Sequence, residues 1–207
     1  MIRRGLRLAS RTALTITAAA GGFILALGIA AAAAAPGHSA VSRTHAFHFR
    51  LVPSPGIKSC LPGAGGNVTI TTGSLNDTMK VSVHGLPGHT AFDLFVIQTP
   101  IKPFGVSWYQ TDIKTGSTGT GSATVRGVFD SQTFSVSPGG TTTFAPTHLY
   151  HLGLWFNNPA KPFMIGCEAG ATSPIVTPFN GDQHAGIQVL NTANFPLAKG
   201  PLAHVHP

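Results

Sequence analysis

Histidine is the residue type in this chain that most invites chemistry. There are ten, all beyond residue 35, and a neutral imidazole serves as metal ligand or general base near physiological pH. His148 and His151 stand three apart, as do His45 and His48. On an extended strand such pairs point to opposite faces and do not ligate together. His204 and His206 share a face but sit at the chain end, where backbones usually fray. The remaining metal candidate is a cross-strand set, His84, His89, His151 and His184, competing with the plainer reading of singly hydrogen-bonded imidazoles. A blue-copper centre needs Cys, two His and an axial Met, but Met164 precedes Cys167 and no methionine follows it. No metal and no cofactor is assigned.

Carboxylates offer less. Asp77, Asp93, Asp112, Asp130, Glu168 and Asp182 are the only acidic residues, and no two lie closer than 14 positions. Glycoside hydrolysis, which needs two carboxyls about 5–10 Å apart, would have to assemble its pair through the fold. Asp77 and Asp112 sit in turn-like segments, where aspartate bonds its own backbone. Asp93 interrupts an apolar run and, if buried, must be hydrogen-bonded or shifted in pKa. Serine hydrolase chemistry lacks its G-x-S-x-G elbow: Gly105-Val106-Ser107-Trp108-Tyr109 begins the pattern and fails at the last glycine. The glycines of 115–122 have no lysine and no following helix, so they do not cradle phosphate. No catalytic residue is assigned.

Aromatic platforms remain. Phe104, Val106 and Trp108 share one face by alternation, which predicts Trp108 in the core. In the run 149–156, Tyr150, Leu152, Leu154 and Phe156 form the face expected to be buried. Leu149, His151, Gly153 and Trp155 form the other. Trp155 beside His151 and a strand glycine would make a shallow patch for a sugar ring or a partner, with Tyr109 as the third candidate. The competing reading is a strand covered on both sides.

These residues are carried by a chain of 207 residues and 21.4 kDa, 43% hydrophobic and 9% charged, with 25 glycines and 16 prolines. One ordinary domain is the expectation, and disorder of the bulk is excluded by the apolar content. The formal charge of +7 is misleading, because Arg3, Arg4, Arg7 and Arg11 crowd the first eleven residues. Without them nine cations face six acids, a net charge of +3. The survivors are scattered singly, whereas phosphate backbones require several cations on one face, so nucleic acid is excluded as a partner.

Residues 1–35 combine that basic start, an apolar stretch over 12–35 and small residues before Pro36-Gly37. This is the layout of a secretory signal, with cleavage expected at Ala34-Ala35 or just upstream. Arg3-Arg4 followed by Gly-Leu is a poor twin-arginine match. The alternative is an uncleaved membrane-spanning helix. Either way the remainder lies outside the cytoplasm, with no membrane span once the signal is removed. Export makes an intramolecular disulfide between Cys60 and Cys167, the only cysteines, the expected state.

Residues 36–58, rich in Pro, Ser and His, read as an extended lead-in to a domain over 59–207. Strands are expected at 68–70, 79–84, 92–97, 104–110, 123–129, 133–136, 148–156 and 186–191, separated by GLPG, TGSTGTGS and SPGGTTT. The run Phe92–Ile97 is continuously apolar except for Asp93, as in a strand buried on both faces. Twenty threonines beyond residue 35 favour strands. Only Asn158–Gly166 approaches helix, opened by Pro159 and limited by Pro162. The fold class is therefore all-β, an antiparallel sandwich of about eight short strands, with a barrel as the alternative.

The segment His84–Leu94 resembles the leucine–proline–turn–aromatic corner of immunoglobulin-like and fibronectin type III domains, with Leu86, Pro87, Thr90 and Phe92 at matching positions. Phe92 stands where that family prefers tyrosine. The chain beyond residue 35 also resembles secreted β-sandwich proteins of high-GC bacteria, which implies a fold and an address but no activity. The expected function is a secreted, non-enzymatic binding or structural role at the cell surface, with envelope glycan or protein as partner. The alternative is an extracellular metal-dependent or hydrolytic enzyme using histidines from different strands.

Overall fold

The computed structural model describes residues 45–129, 132–136, 139, 142–180 and 183–205. The expected signal segment 1–35, the start of the lead-in, Asp130, Asp182 and His206 lie outside them. Among the described residues no helix is long and apolar enough to cross a membrane.

The all-β expectation holds. Twelve strands are described, with two helices of one turn each, α1 (Ile57–Cys60) and α2 (Ala160–Met164). Eight strands form one antiparallel sheet: β1 (Ala46–Pro53), β2 (Gly65–Thr71), β3 (Asp77–His84), β4 (Ala91–Ile97), β5 (Ser107–Lys114), β6 (Gly121–Gly127), β9 (His151–Phe156) and β12 (Gln188–Asn191). Their spatial order is β5-β4-β9-β12-β1-β2-β3-β6. Two hairpins stand apart, β7 (Gln132–Val136) with β8 (Thr142–His148), and β10 (Thr177–Asn180) with β11 (Gln183–Ala185).

The sheet has two four-stranded halves joined by a short seam, where Val52 and Pro53 of β1 face Asn191 and Leu190 of β12. One hydrophobic core draws on both halves: Phe49, Val68, Ile70, Met79 and Val81 from one, Phe92, Leu94, Ile113, Leu154 and Phe156 from the other. The halves differ in what covers them. In β3 Asp77, Met79, Val81 and Val83 are buried and the residues between them are not, so that strand meets water on one face. Along β4 every residue after Ala91 is buried, and along β9 every residue without exception. Phe95, Ile97 and Trp155 form a second small core on the outer face with Ala185 of β11 and Phe104. The continuous apolar run of β4 thus reports burial on both sides.

The segment 36–58 is not wholly a lead-in. Residues 46–53 form β1, an interior strand paired with β2 over six residue pairs. Phe49 and Leu51 point inward with the period of two, but prolines at 53 and 55 mask the pattern. Residues 201–204 form a 3₁₀ turn, with Leu202 and Val205 buried. Cys60, closing α1, is bonded to Cys167, which follows α2, with Cα atoms 5.1 Å apart.

Candidate functional site

Strand β5 ends the sheet and carries the most conspicuous surface feature. Trp108 is 61% exposed and Tyr109 46%, at adjacent positions whose side chains an ordinary strand would send to opposite faces. A bulge intervenes. Leu94 faces Thr111 but Phe95 faces Tyr109, leaving Gln110 as the extra residue, and a bulge re-aims the side chains beyond it. Tyr109 is thereby brought edge-on to Phe95, with ring centres 5.7 Å apart. Phe95 in turn meets Trp155 at 5.5 Å, and Phe104 meets Trp155 at 4.9 Å.

Phe104 is held by the tight connection from β4 to β5. Gln98 N–H donates to the Val106 carbonyl, its Oε1 accepts from Val106 N–H, and Thr99 N–H donates to the Phe104 carbonyl. Gly105 adopts φ +68°, and a Cβ there would meet the Gln98 side chain at 2.2 Å, so the turn needs glycine. The result is an open groove of about 660 Å³ walled by Phe95, Phe104, Trp108, Tyr109, Thr177 and Pro178. Trp108 was expected in the core; it stands on the terminal strand of the sheet and is mostly exposed.

Trp155 and His151 do not form the expected patch. Trp155 is fully buried, because the outer face of β9 is roofed by Phe104 and Ala185. At Gly153 a Cβ would meet the Trp155 ring at 2.3 Å, so the strand glycine makes room for the indole rather than a surface hollow. His151 is equally buried, with Nδ1 2.9 Å from Thr192 Oγ1 and Nε2 3.0 Å from the Leu197 carbonyl. The carbonyl can only accept, which assigns the proton to Nε2. Burial pushes the imidazole pKa down, so His151 is a neutral clamp on the segment leading to the chain end. Of the three predicted ligand residues only Tyr109 lines the groove.

The cross-strand histidines do not gather. His84 lies over Gly65 at the end of β3, His89 occupies left-handed backbone (φ 51°) in the turn before β4, and His184 is exposed on β11. Among the described residues no three His, Cys, Asp or Glu side chains are placed to hold a metal ion.

Two carboxylates do meet. Asp93 of β4 and Asp112 of β5 are direct cross-strand neighbours, a pairing the 19-residue separation concealed. Asp93 is buried, and Asn157 Nδ2 donates to its Oδ1 at 2.8 Å. Its carboxyl is raised above the usual range, chiefly by burial, against the Asn157 bond and with help from Asp112. Tyr109 donates its hydroxyl to Asp112 Oδ1 at 2.8 Å. Partial burial and that carboxylate push the Tyr109 phenol up to about 12.

A second cavity, of about 600 Å³, adjoins the groove and shares Phe104 and Thr177 with it. Its wall includes Glu168 and Gln188, neither of which local spacing singled out as a ligand group. Buried polar residues near a cysteine bridge carry no periodic signal, so only the fold exposes them. Compared with protein-family models, curated proteins and solved structures, the chain matches none.

Proposed function

We propose that this chain is an exported, non-enzymatic β-sandwich protein that binds glycan at the cell surface through the groove on β5. One observation carries the reading: Trp108, 61% exposed, and Tyr109, 46% exposed, both line an open groove of about 660 Å³. Exposed aromatic surface is expensive in water and marks interaction sites. An indole offers an apolar π face to the C–H face of a sugar ring, while its N–H and the tyrosine hydroxyl reach polar groups. The volume lies within the ~300–1,000 Å³ range of small-ligand sites. Anchorage supports the reading further, because Tyr109 packs on Phe95 and Phe95 on Trp155, so little side-chain entropy is lost on binding.

The test is a pull-down of the purified protein on isolated envelope polysaccharide and peptidoglycan, with Trp108→Ala alongside. Retention of wild type and loss of the variant, at equal thermal midpoints, is the expected result. Equal behaviour of the two proteins, or retention of neither, refutes the reading.

A second reading rests on Asp93 and Asp112. A raised carboxyl beside an exposed one is the division of labour of acid and base in glycosidic cleavage. Release of reducing ends from a bound glycan, abolished by Asp112→Asn, would favour a hydrolase over a binding module.

A further inference from the structure

We propose that Asp112 is the positioning residue of the groove, holding Tyr109 in its binding posture, and that the Asp93 carboxyl opposite makes this hold depend on a proton. The proposal rests on the glycan reading and adds its regulation: the groove holds glycan more tightly in acid than at neutral pH.

Tyr109 and Asp112 lie three positions apart, and a regular strand would send them to opposite faces. The bulge at Gln110 puts them on one face. Tyr109 stands opposite Phe95 and Asp112 opposite Asp93, while Leu94, between those two, stands opposite Thr111. The tyrosine ring is thereby fixed at two points. It meets Phe95 edge-on, with ring centres 5.7 Å apart, and its hydroxyl donates to Asp112 Oδ1 at 2.8 Å. With that proton given to Asp112, the phenol oxygen meets a ligand as an acceptor. Phe95 is buried, whereas Asp112 is exposed on the terminal strand. Of the two anchors, the carboxylate is the one able to let go.

The second carboxyl holds Asp112 in place. Asp93 is buried and its side chain hydrogen-bonds with that of Asp112, a bond between carboxyls that needs one proton. Asn157 Nδ2 donates to Asp93 Oδ1 at 2.8 Å, which leaves Oδ2 for the proton. Burial disfavours the charged form and keeps the proton on Asp93. The other neighbours do not supply this switch. From β9, Trp155 stands opposite Asp93, and Asn157 is neutral. From the covering hairpin Ala185 is buried against Phe95 and Trp155, and His184 is exposed. The cation of β5, Lys114, lies two positions beyond Asp112. Once Asp93 ionises, two carboxylates confront each other across the strands. Asp112 then turns to water, and Tyr109 keeps its Phe95 contact without its tether. Because the Asp93 carboxyl is raised, the release falls above the ordinary aspartate value of about 3.9.

Binding isotherms on isolated envelope polysaccharide and peptidoglycan, from about pH 4 to about pH 8, test this. Wild-type affinity is expected to fall about three- to tenfold across that range, the cost of ordering one freed side chain on binding. Asp93→Asn, whose amide donates to Asp112 without titrating, is expected to remove the step. Charge on the matrix titrates alike for both proteins and does not imitate that difference. At the acid end Asp112→Ala and Tyr109→Phe are each expected to weaken binding about three- to tenfold, and the double variant no further, because both remove one tether. Should Asp93→Asn fail to fold, the wild-type profile and the double variant decide the question. A flat wild-type profile, a step retained in Asp93→Asn, or additive losses in the double variant overturns the positioning role and leaves the glycan reading standing. Retention of no protein at any pH overturns both.

Discussion

Acid destabilisation through His151 follows from its burial. The imidazole is enclosed, Nε2–H donates to the Leu197 carbonyl, and Nδ1 accepts from Thr192. Its folded pKa is depressed by burial against three weaker opposing contributions from backbone neighbours. A base with a depressed folded pKa is held neutral by the native state, so between that pKa and the unfolded value of about 6.5 the unfolded chain binds the extra proton. Stability is then complete above about pH 6.5 and falls as pH drops toward the folded pKa, with a slope of at most about 1.4 kcal/mol per pH unit for one proton. The assay is urea denaturation from about pH 8 to about pH 5, comparing wild type with His151→Gln. The variant is expected to lose about 1–3 kcal/mol at neutral pH, because the Thr192 and Leu197 groups lose their partner. It is also expected to lose one proton's worth of slope below about pH 6.5. Asp93 does not mimic this, because its raised folded pKa favours the native state on acidification and acts above the ordinary carboxylate value. A wild-type stability that is flat or rises between about pH 7 and about pH 5.5, or a variant that keeps the full slope, refutes the assignment of a neutral clamp.

Three further outcomes are expected. Trp155→Ala, which empties a fully buried site between Phe95 and Phe104, costs about 3–5 kcal/mol in chemical denaturation, whereas Trp108→Ala stays within about 0.5 kcal/mol. Replacing both Cys60 and Cys167 by alanine opens a loop spanning 107 positions and lowers unfolding free energy by about 4–5 kcal/mol in the chain-entropy account; mass spectrometry of the wild type finds no free thiol. In an ultraviolet titration Tyr109 ionises near 12, and Asp112→Asn brings that value down part of the way by removing the adjacent charge, while burial keeps it above the ordinary range.

Much of the fold was legible because strand signals are local. Alternation in β2 and β3, the apolar run of β4 and the turn clusters between them depend on residues two or three apart. Seven of the eight anticipated strands lie in the main sheet, and the other is β7 of a separate hairpin. The short helix after Pro159 and the Cys60–Cys167 bond also followed from residue type. What alternation does not carry is what each face meets. Trp108 and Trp155 exchanged roles for that reason: one lies beyond a bulge on a terminal strand, the other under a hairpin that begins at Thr177, far along the chain. Consecutive Trp108 and Tyr109 were the available warning, since two neighbouring strand residues cannot both enter one core.

The division has a physical cause. Sequence alone determined element type, the bridged cysteines and the classes of chemistry for which the motifs are missing, because these follow from short-range sterics and residue chemistry. Tertiary structure alone decided that Asp93 meets Asp112, that His151 is a clamp, and that Glu168 and Gln188 share a cavity wall. Each of those pairings joins positions far apart in the chain, and register, bulge and covering hairpin set them together.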